Sequence, residues 1–161
     1  MNTDKIENEI SYRKAKPADL HRITLIERRS FSYPWSKANF RKVINSKDKE
    51  TIVAESKEIV GYIIFEIRHL SLPDRKYQHK VGHIFNIAVH PSRLREGIGT
   101  KLFEMAERRM AEEDVRELSL EVRFSNEEAR KFYRSQDLTI SFEVQSYYRN
   151  GDDAYVMTKP L

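Results

Sequence analysis

Two glycines set one residue apart, Gly97 and Gly99, stand in the run Leu94-Arg95-Glu96-Gly97-Ile98-Gly99-Thr100-Lys101, just ahead of an amphipathic segment. A helix amino terminus exposes unpaired N–H groups and a partial positive charge, and glycines before it let an anion approach the backbone. The chemistry on offer is phosphate binding. A P-loop needs Gly-Lys-Ser/Thr, which this run lacks. A dinucleotide fingerprint needs a third glycine three residues after the second, where Leu102 stands. A tight turn from strand to helix would use the same two glycines.

Glu121 offers proton chemistry. Leu118, Leu120 and Val122 share one side of a strand, so Ser119, Glu121 and Arg123 face the other. A carboxylate midway along a central strand is costly to bury without a purpose or a partner. The alternative is an ion pair with Arg123 or a nearby lysine. His83 is a second candidate base, because an unperturbed imidazole titrates near ~6.5, although a histidine at a strand start also serves as a packed structural group. His83 and Glu121 together would make only two ligands, so no metal is expected. The chain has no cysteine, which excludes disulfides, thiolate metal sites and a thiol that could carry an acyl group.

The elements that must position these groups follow from periodicity. Strands are expected at 9–14, 51–55, 59–68, 83–89, 118–122, 139–145 and 154–159. Helices are expected from Pro17, with Leu20, Ile23 and Ile26 buried, and from an N-cap at Ser36, with Phe40, Val43 and Ile44 buried. Two more follow, one through Leu102, Phe103, Ala106 and Met110, the other over 126–136. Residues 69–81 read as a charged loop around Pro73. The fold class is α/β: one domain over residues 1–161, a mixed sheet of about seven strands flanked by about four helices.

Composition narrows the function further. The 161 residues include 29 basic and 25 acidic side chains. Basic pairs alternate with acids, as in Glu27-Arg28-Arg29 and Glu107-Arg108-Arg109, which reads as a solvated surface rather than a nucleic-acid stripe. No apolar run approaches the roughly 18 residues of a membrane span, and the start, Met1-Asn2-Thr3-Asp4-Lys5, lacks a secretory signal. A cytoplasmic protein is expected, with neither nucleic acid nor membrane as partner.

Four blocks in order give a resemblance. Gly82-His83-Ile84-Phe85-Asn86-Ile87-Ala88-Val89-His90-Pro91, with Arg95-Glu96-Gly97-Ile98-Gly99 after it, resembles the acetyl-CoA-binding motif of the Gcn5-related N-acetyltransferase (GNAT) superfamily. Leu120-Glu121-Val122-Arg123-Phe124-Ser125-Asn126-Glu127-Glu128-Ala129, with Tyr133 beyond it, is similar to a second block. The ending Tyr147-Tyr148-Arg149-Asn150-Gly151-Asp152-Asp153-Ala154-Tyr155-Val156-Met157 resembles a third. Ile26-Glu27 and Phe31 through Pro34-Trp35-Ser36 resemble the first-helix region. The set, covering roughly residues 11–160, is typical of the RimI-like and archaeal N-terminal acetyltransferase branch.

The resemblance implies the GNAT fold, acetyl-CoA as cosubstrate and acetyl transfer to the N-terminal amine of proteins, ribosomal proteins among them, by a monomer or homodimer. Ile87, Ala88 and Val89 would pair with the pantetheine arm, and the loop Arg95, Glu96, Gly97, Ile98, Gly99, Thr100 and Lys101 would hold the pyrophosphate. Asn126 would contact the cosubstrate near the thioester. Tyr133 would sit by the sulfur and protonate the departing thiolate, although packing against its own helix also explains it. Glu121 would be the general base, with His83 its rival. Phe31, Tyr33, Pro34, Trp35, Tyr147 and Tyr148 would line a groove for an extended peptide, although Phe31 and Trp35 also suit a core role. The sequence departs from the family at Leu94, where Gln or Arg is usual, and at Asp137-Leu138, where Gly-Phe is usual. Rival readings are an acetyltransferase of a small amine, a non-catalytic acetyl-CoA-binding regulator, and a basic nucleic-acid-binding domain.

Overall fold

The computed structural model describes residues 9–70 and 79–161. Seven strands form one sheet in the order β1-β2-β3-β4-β5-β7-β6. These are β1 (Ser11–Lys14), β2 (Lys49–Glu55), β3 (Ile59–Leu70), β4 (His79–Val89), β5 (Glu117–Arg123), β6 (Thr139–Val144) and β7 (Ala154–Pro160). The helices are α1 (Leu20–Ser30), α2 (Lys37–Ile44), α3 (Ile98–Glu112) and α4 (Glu127–Ser135). The mixed α/β architecture, seven strands with four helices, is the one expected from the sequence. β4 and β5 are parallel, whereas β1–β2, β5–β7 and β6–β7 are antiparallel.

Two compact units emerge. The first comprises the described residues up to Phe65 together with Asn86–Ala106, and the second the described residues of Glu66–Phe85 with Glu107–Leu161. In the first unit Pro17 opens a short 3-10 turn, Pro17–Asp19, before α1, so the α-helix begins three residues later than the proline alone suggests. Asp19 accepts two hydrogen bonds from Arg13 and one from the Lys16 N–H, fixing β1 to that turn. Ser36 is the expected N-cap of α2, its side chain accepting the Asn39 N–H. Leu20, Ile23 and Ile26 of α1 and Phe40 and Val43 of α2 are buried as their spacing requires, whereas Ile44, at the end of α2, is only half-buried. Gly61 allows a close approach: a Cβ there would lie 3.1 Å from the Ala88 carbonyl oxygen and 3.3 Å from Ile98 Cγ2. That seats the start of α3 directly on the strands.

In the second unit β5 alternates as expected, with Leu118, Leu120 and Val122 buried. Asn126 caps α4, its Oδ1 accepting the Ala129 N–H at 3.1 Å. The helix ends normally at the position where the family's glycine is missing. Asp137 takes φ 66, and the Leu138 N–H bonds the Tyr133 carbonyl at 3.1 Å. Aspartate tolerates the left-handed region better than most residues, so the loss of glycine costs stability without moving β6. The expected loop at 69–81 is shorter at both ends, because β3 runs to Leu70 and β4 starts at His79; its centre, with Pro73, lies outside the described residues. Hydrogen bonding extends both strands past the alternating segment that marked them. β1, by contrast, starts at Ser11 rather than residue 9.

Candidate active site

The first unit carries the glycine loop. Pro91–Arg93 forms a 3-10 turn, and Arg95 (φ 64) and Gly97 (φ 77) both adopt left-handed backbone before α3. The first intrahelical bond at this end runs from the Lys101 N–H to the Gly97 carbonyl at 3.0 Å. The N–H groups of Ile98, Gly99 and Thr100 precede it, and such groups have no partner within a helix. Alternating left-handed residues ahead of a helix turn successive N–H groups toward one point, an anion-binding concavity. Arg93 is spent on Glu96, 2.7 Å away. Arg95 is exposed and has no ion pair among the described residues, and the Lys101 ammonium lies 3.6 Å from Glu104. The loop therefore offers backbone donors and the Arg95 guanidinium to a diphosphate such as that of acetyl-CoA, with Lys101 beside it at the edge of ion-pair distance from Glu104. Leu94, in place of the family's polar residue, is 57% exposed and adds no charge. Ile87, Ala88 and Val89 lie beyond the last pair of the β4–β5 register, Ile84↔Leu120.

The same unit holds a buried carboxylate that sequence reasoning passed over. Glu27, on α1 and 1% exposed, accepts hydrogen bonds from the Trp35 N–H (2.8 Å), Asn86 Nδ2 (3.0 Å) and the Tyr62 hydroxyl. Burial pushes its carboxyl above the usual range, and the three donors oppose that shift. A signal was available, because Glu27 stands at helical spacing with Ile23 and Ile26 and so faces the core. The carboxylate anchors the loop expected to meet a peptide. In that loop Trp35 is half-buried, its ring 5.5 Å from that of Phe40, whereas Tyr33 and Pro34 are exposed and Phe31 is half-buried.

The second unit brings the two candidate bases together. His83 Nε2 lies 3.1 Å from Glu121 Oε2, and His83 Nδ1 lies 3.2 Å from Ser119 Oγ. A single proton arrangement satisfies both contacts for a neutral ring. Nε2–H donates to Glu121, and the Ser119 hydroxyl is shared between Nδ1 and the Gly82 carbonyl, 3.4 Å away. The imidazole is nearly buried, 4.7 Å edge-on from the Phe85 ring, while the Glu121 side chain is 23% exposed. The carboxylate thus keeps access to solvent while the histidine holds it from behind. Arg123, another charged residue on this face of β5, reaches toward the β6–β7 turn. It bonds Asp152 at 2.7 Å and stacks 3.8 Å above the Tyr148 ring. Ser119 and Arg123 were legible as neighbours on the Glu121 face of β5, but nothing in the sequence marked their partners.

Tyr147 and Tyr148 sit in the turn between β6 and β7, ring against ring at 4.9 Å. Tyr147 is 48% exposed, and burial together with the nearby Glu121 charge raises its phenol above the usual value. Tyr148 is pushed up to about 12, chiefly by burial, with Arg123 opposing. Tyr133, on α4, is buried, and that burial raises its phenol far above its ordinary value. It therefore stays protonated throughout the neutral range. No third carboxylate or imidazole joins His83 and Glu121 to make a metal site among the described residues, and no helix among them is long and apolar enough to cross a membrane.

Comparison with known proteins agrees with this geometry. A model of the acetyltransferase (GNAT) family matches residues 20–137. The chain belongs to the GNAT acetyltransferase family. Within GNAT proteins it is 32% identical over 157 residues to an N-alpha-acetyltransferase of Sulfurisphaera tokodaii, covering 95% of this chain and 94% of that one. It is 28% identical to a putative ribosomal protein bS18-alanine N-acetyltransferase of Bacillus subtilis, over 94% and 96% of the two chains. Among solved GNAT structures, the ribosomal-protein-S18-alanine N-acetyltransferase of Escherichia coli superposes with a TM-score of 0.78 at 26% identity, covering 94% of each chain. Arabidopsis thaliana NAA60 bound to acetyl-CoA has the same fold, with a TM-score of 0.83 at 20% identity over 95% and 99% of the chains.

Proposed function

We propose that this chain, acting as one domain over residues 1–161, transfers the acetyl group of acetyl-CoA to the α-amino group of protein N-termini, ribosomal proteins among them. The observation that carries the reading is the Glu121–His83–Ser119 chain, a solvent-reaching carboxylate braced by a buried imidazole. It stands in a family member whose relatives are N-terminal acetyltransferases by name.

The residues divide the work. Arg95, Lys101 and the N–H groups of residues 95–100 hold the diphosphate, and Ile87, Ala88 and Val89 offer backbone groups to the pantetheine arm. Acetyl-CoA supplies the thioester. Glu121 takes a proton from the incoming ammonium, directly or through one water, and His83 holds the carboxylate in place. Without cysteine, the neutral amine attacks directly rather than through an acyl-enzyme. Backbone N–H groups of β4 stabilise the oxyanion. Asn126 orients the cosubstrate near the reacting carbonyl. Tyr133 gives a proton to the leaving sulfur and is restored by the one the new amide nitrogen sheds, so that the proton on Glu121 is the one released. Phe31, Tyr33, Pro34, Trp35, Tyr147 and Tyr148 grip the first residues of the peptide.

The choice of amine follows from its acidity. An α-amino group titrates near ~7.8 and a lysine near ~10.4, so deprotonating lysine at neutral pH costs roughly 3.5 kcal/mol more. One carboxylate suffices for the former. The test is a panel of peptides differing in their first two residues, each with a free and a blocked amino terminus, incubated with acetyl-CoA and read by mass. Acetylation of free but not blocked peptides is expected. Modification of blocked peptides would shift the reaction to lysine. No transfer to peptides, with acetyl-CoA still bound, would favour a small amine or a regulatory role.

A further inference from the structure

The charge of the molecule is less evenly spread than its composition suggests. The whole chain carries 29 basic against 25 acidic side chains. Residues 28–47 hold six of the basic ones (Arg28, Arg29, Lys37, Arg41, Lys42 and Lys47) and no acid. Outside this segment the chain is net acidic. The preceding Glu27 does not neutralise it, because that carboxylate is buried and committed to Trp35, Tyr62 and Asn86. All six basic residues are exposed.

Among the described residues several cations elsewhere have carboxylate partners, while others, such as Arg95, Arg116, Arg134 and Arg149, have none. Arg13, Arg22, Arg93, Lys101, Arg109, Arg123 and Lys159 each lie within ion-pair distance of a carboxylate. None of the six does, among the described residues; Arg29 approaches only the His90 ring, at 3.3 Å. Lys37 and Arg41 stand four apart on α2, both exposed beside the buried Phe40 and Val43. Like charges at that spacing repel and weaken a helix. An arrangement that is unfavourable in the free protein becomes favourable against an anionic partner.

We propose that residues 28–47 form a docking surface for an acidic stretch of the substrate polypeptide, a few residues beyond the amino terminus being acetylated. This rests on the N-terminal acetylation reading, because the loop Phe31, Tyr33, Pro34 and Trp35 that would meet the terminus lies within the same segment. The eight residues of α2 are about 12 Å long, enough for roughly four residues of an extended chain. Single-stranded RNA is the less suitable partner. Its binding couples cations to several stacking aromatics, and of the aromatic side chains in this segment only Tyr33 is exposed, whereas Trp35 is held against Phe40 and Phe40 is fully buried.

The experiment uses two peptides with identical first residues, one with an Asp/Glu-rich continuation and one with a Ser/Gln-rich continuation, each carrying a fluorophore at its far end. Binding is read by anisotropy with blocked amino termini, and turnover with free ones. The protein is compared with the Lys37→Glu/Arg41→Glu/Lys42→Glu variant, whose folding is checked by circular dichroism. The acidic peptide should bind about tenfold tighter at low salt, on the order expected of a few exposed ion pairs. The preference should fade with salt and vanish in the variant, while turnover of the neutral peptide stays unchanged. Equal binding of the two peptides, or a preference that survives charge reversal, overturns the proposal. So does oligo-uridine binding that exceeds that of the acidic peptide and is lost in the variant. Docking of the blocked acidic peptide without acetylation of any free one would sustain the surface and overturn the reaction.

Discussion

At the scale of single residues the site is a set of paired constraints. Glu121 is useful as a base because His83 fixes it and Ser119 fixes His83. Replacing Glu121 by Gln keeps the shape and removes the proton acceptor, so kcat should fall about 10²–10⁴-fold. The KM for acetyl-CoA should stay nearly constant, as steady-state kinetics would show; a kcat within threefold of the parent would remove Glu121 as the base. Glu27 is constrained differently. Truncation to Ala would leave the Trp35 N–H, the Tyr62 hydroxyl and Asn86 Nδ2 without their shared acceptor. Each buried donor left unsatisfied costs about 1–3 kcal/mol, so denaturant unfolding should show a loss of at least ~2 kcal/mol. Glu27→Gln retains an acceptor and should lose less.

At the scale of elements, backbone conformation decides. Asp137 performs a glycine's task at the end of α4 with φ 66. Asp137→Gly relieves about 1 kcal/mol of left-handed strain and should raise the melting temperature by about 2–4 °C in a chain of this size. Scanning calorimetry would read it, and a lowered melting point would mean that the side chain contributes more than the strain costs. The loop before α3 binds through its N–H groups with Arg95 as a supplement, so Arg95→Ala should raise the acetyl-CoA KM several-fold and spare kcat. An unchanged KM would remove Arg95 from the site. Strands and helices were legible because their apolar spacing survives in the sequence, as in Leu118, Leu120 and Val122. The glycine loop was legible because glycine is rare here and placed where only backbone matters. Side-chain pairing over long sequence separations was not. His83 meets Ser119 and Glu121 only once the β4–β5 register places His83 opposite Ser119, and Glu27 hid inside a charged triplet whose other two members are exposed.

At the scale of the whole molecule, acid stability depends on the carboxylates held by Arg13. The guanidinium keeps both Asp19 and Glu55 below the usual carboxylate range. A depressed pKa means that the unfolded chain binds protons first as pH falls. This stabilisation is therefore complete above the ordinary carboxylate range and is lost as pH drops through the lowered values. Asp19→Asn should destabilise by about 2 kcal/mol at neutral pH, and the gap to the parent should close toward pH ~3, measured by urea unfolding across pH. A gap that stays constant would mean that Asp19 contributes shape rather than charge. One further property belongs to the molecule as a whole. It contains a single tryptophan, and that indole leans on Phe40 with its backbone N–H tied to Glu27. Excited at the red edge of protein absorption, the entire chain emits from the loop expected to grip the peptide. The unlabelled enzyme is its own optical sensor of substrate capture, and stopped-flow emission can time the arrival of a peptide apart from the chemistry that follows.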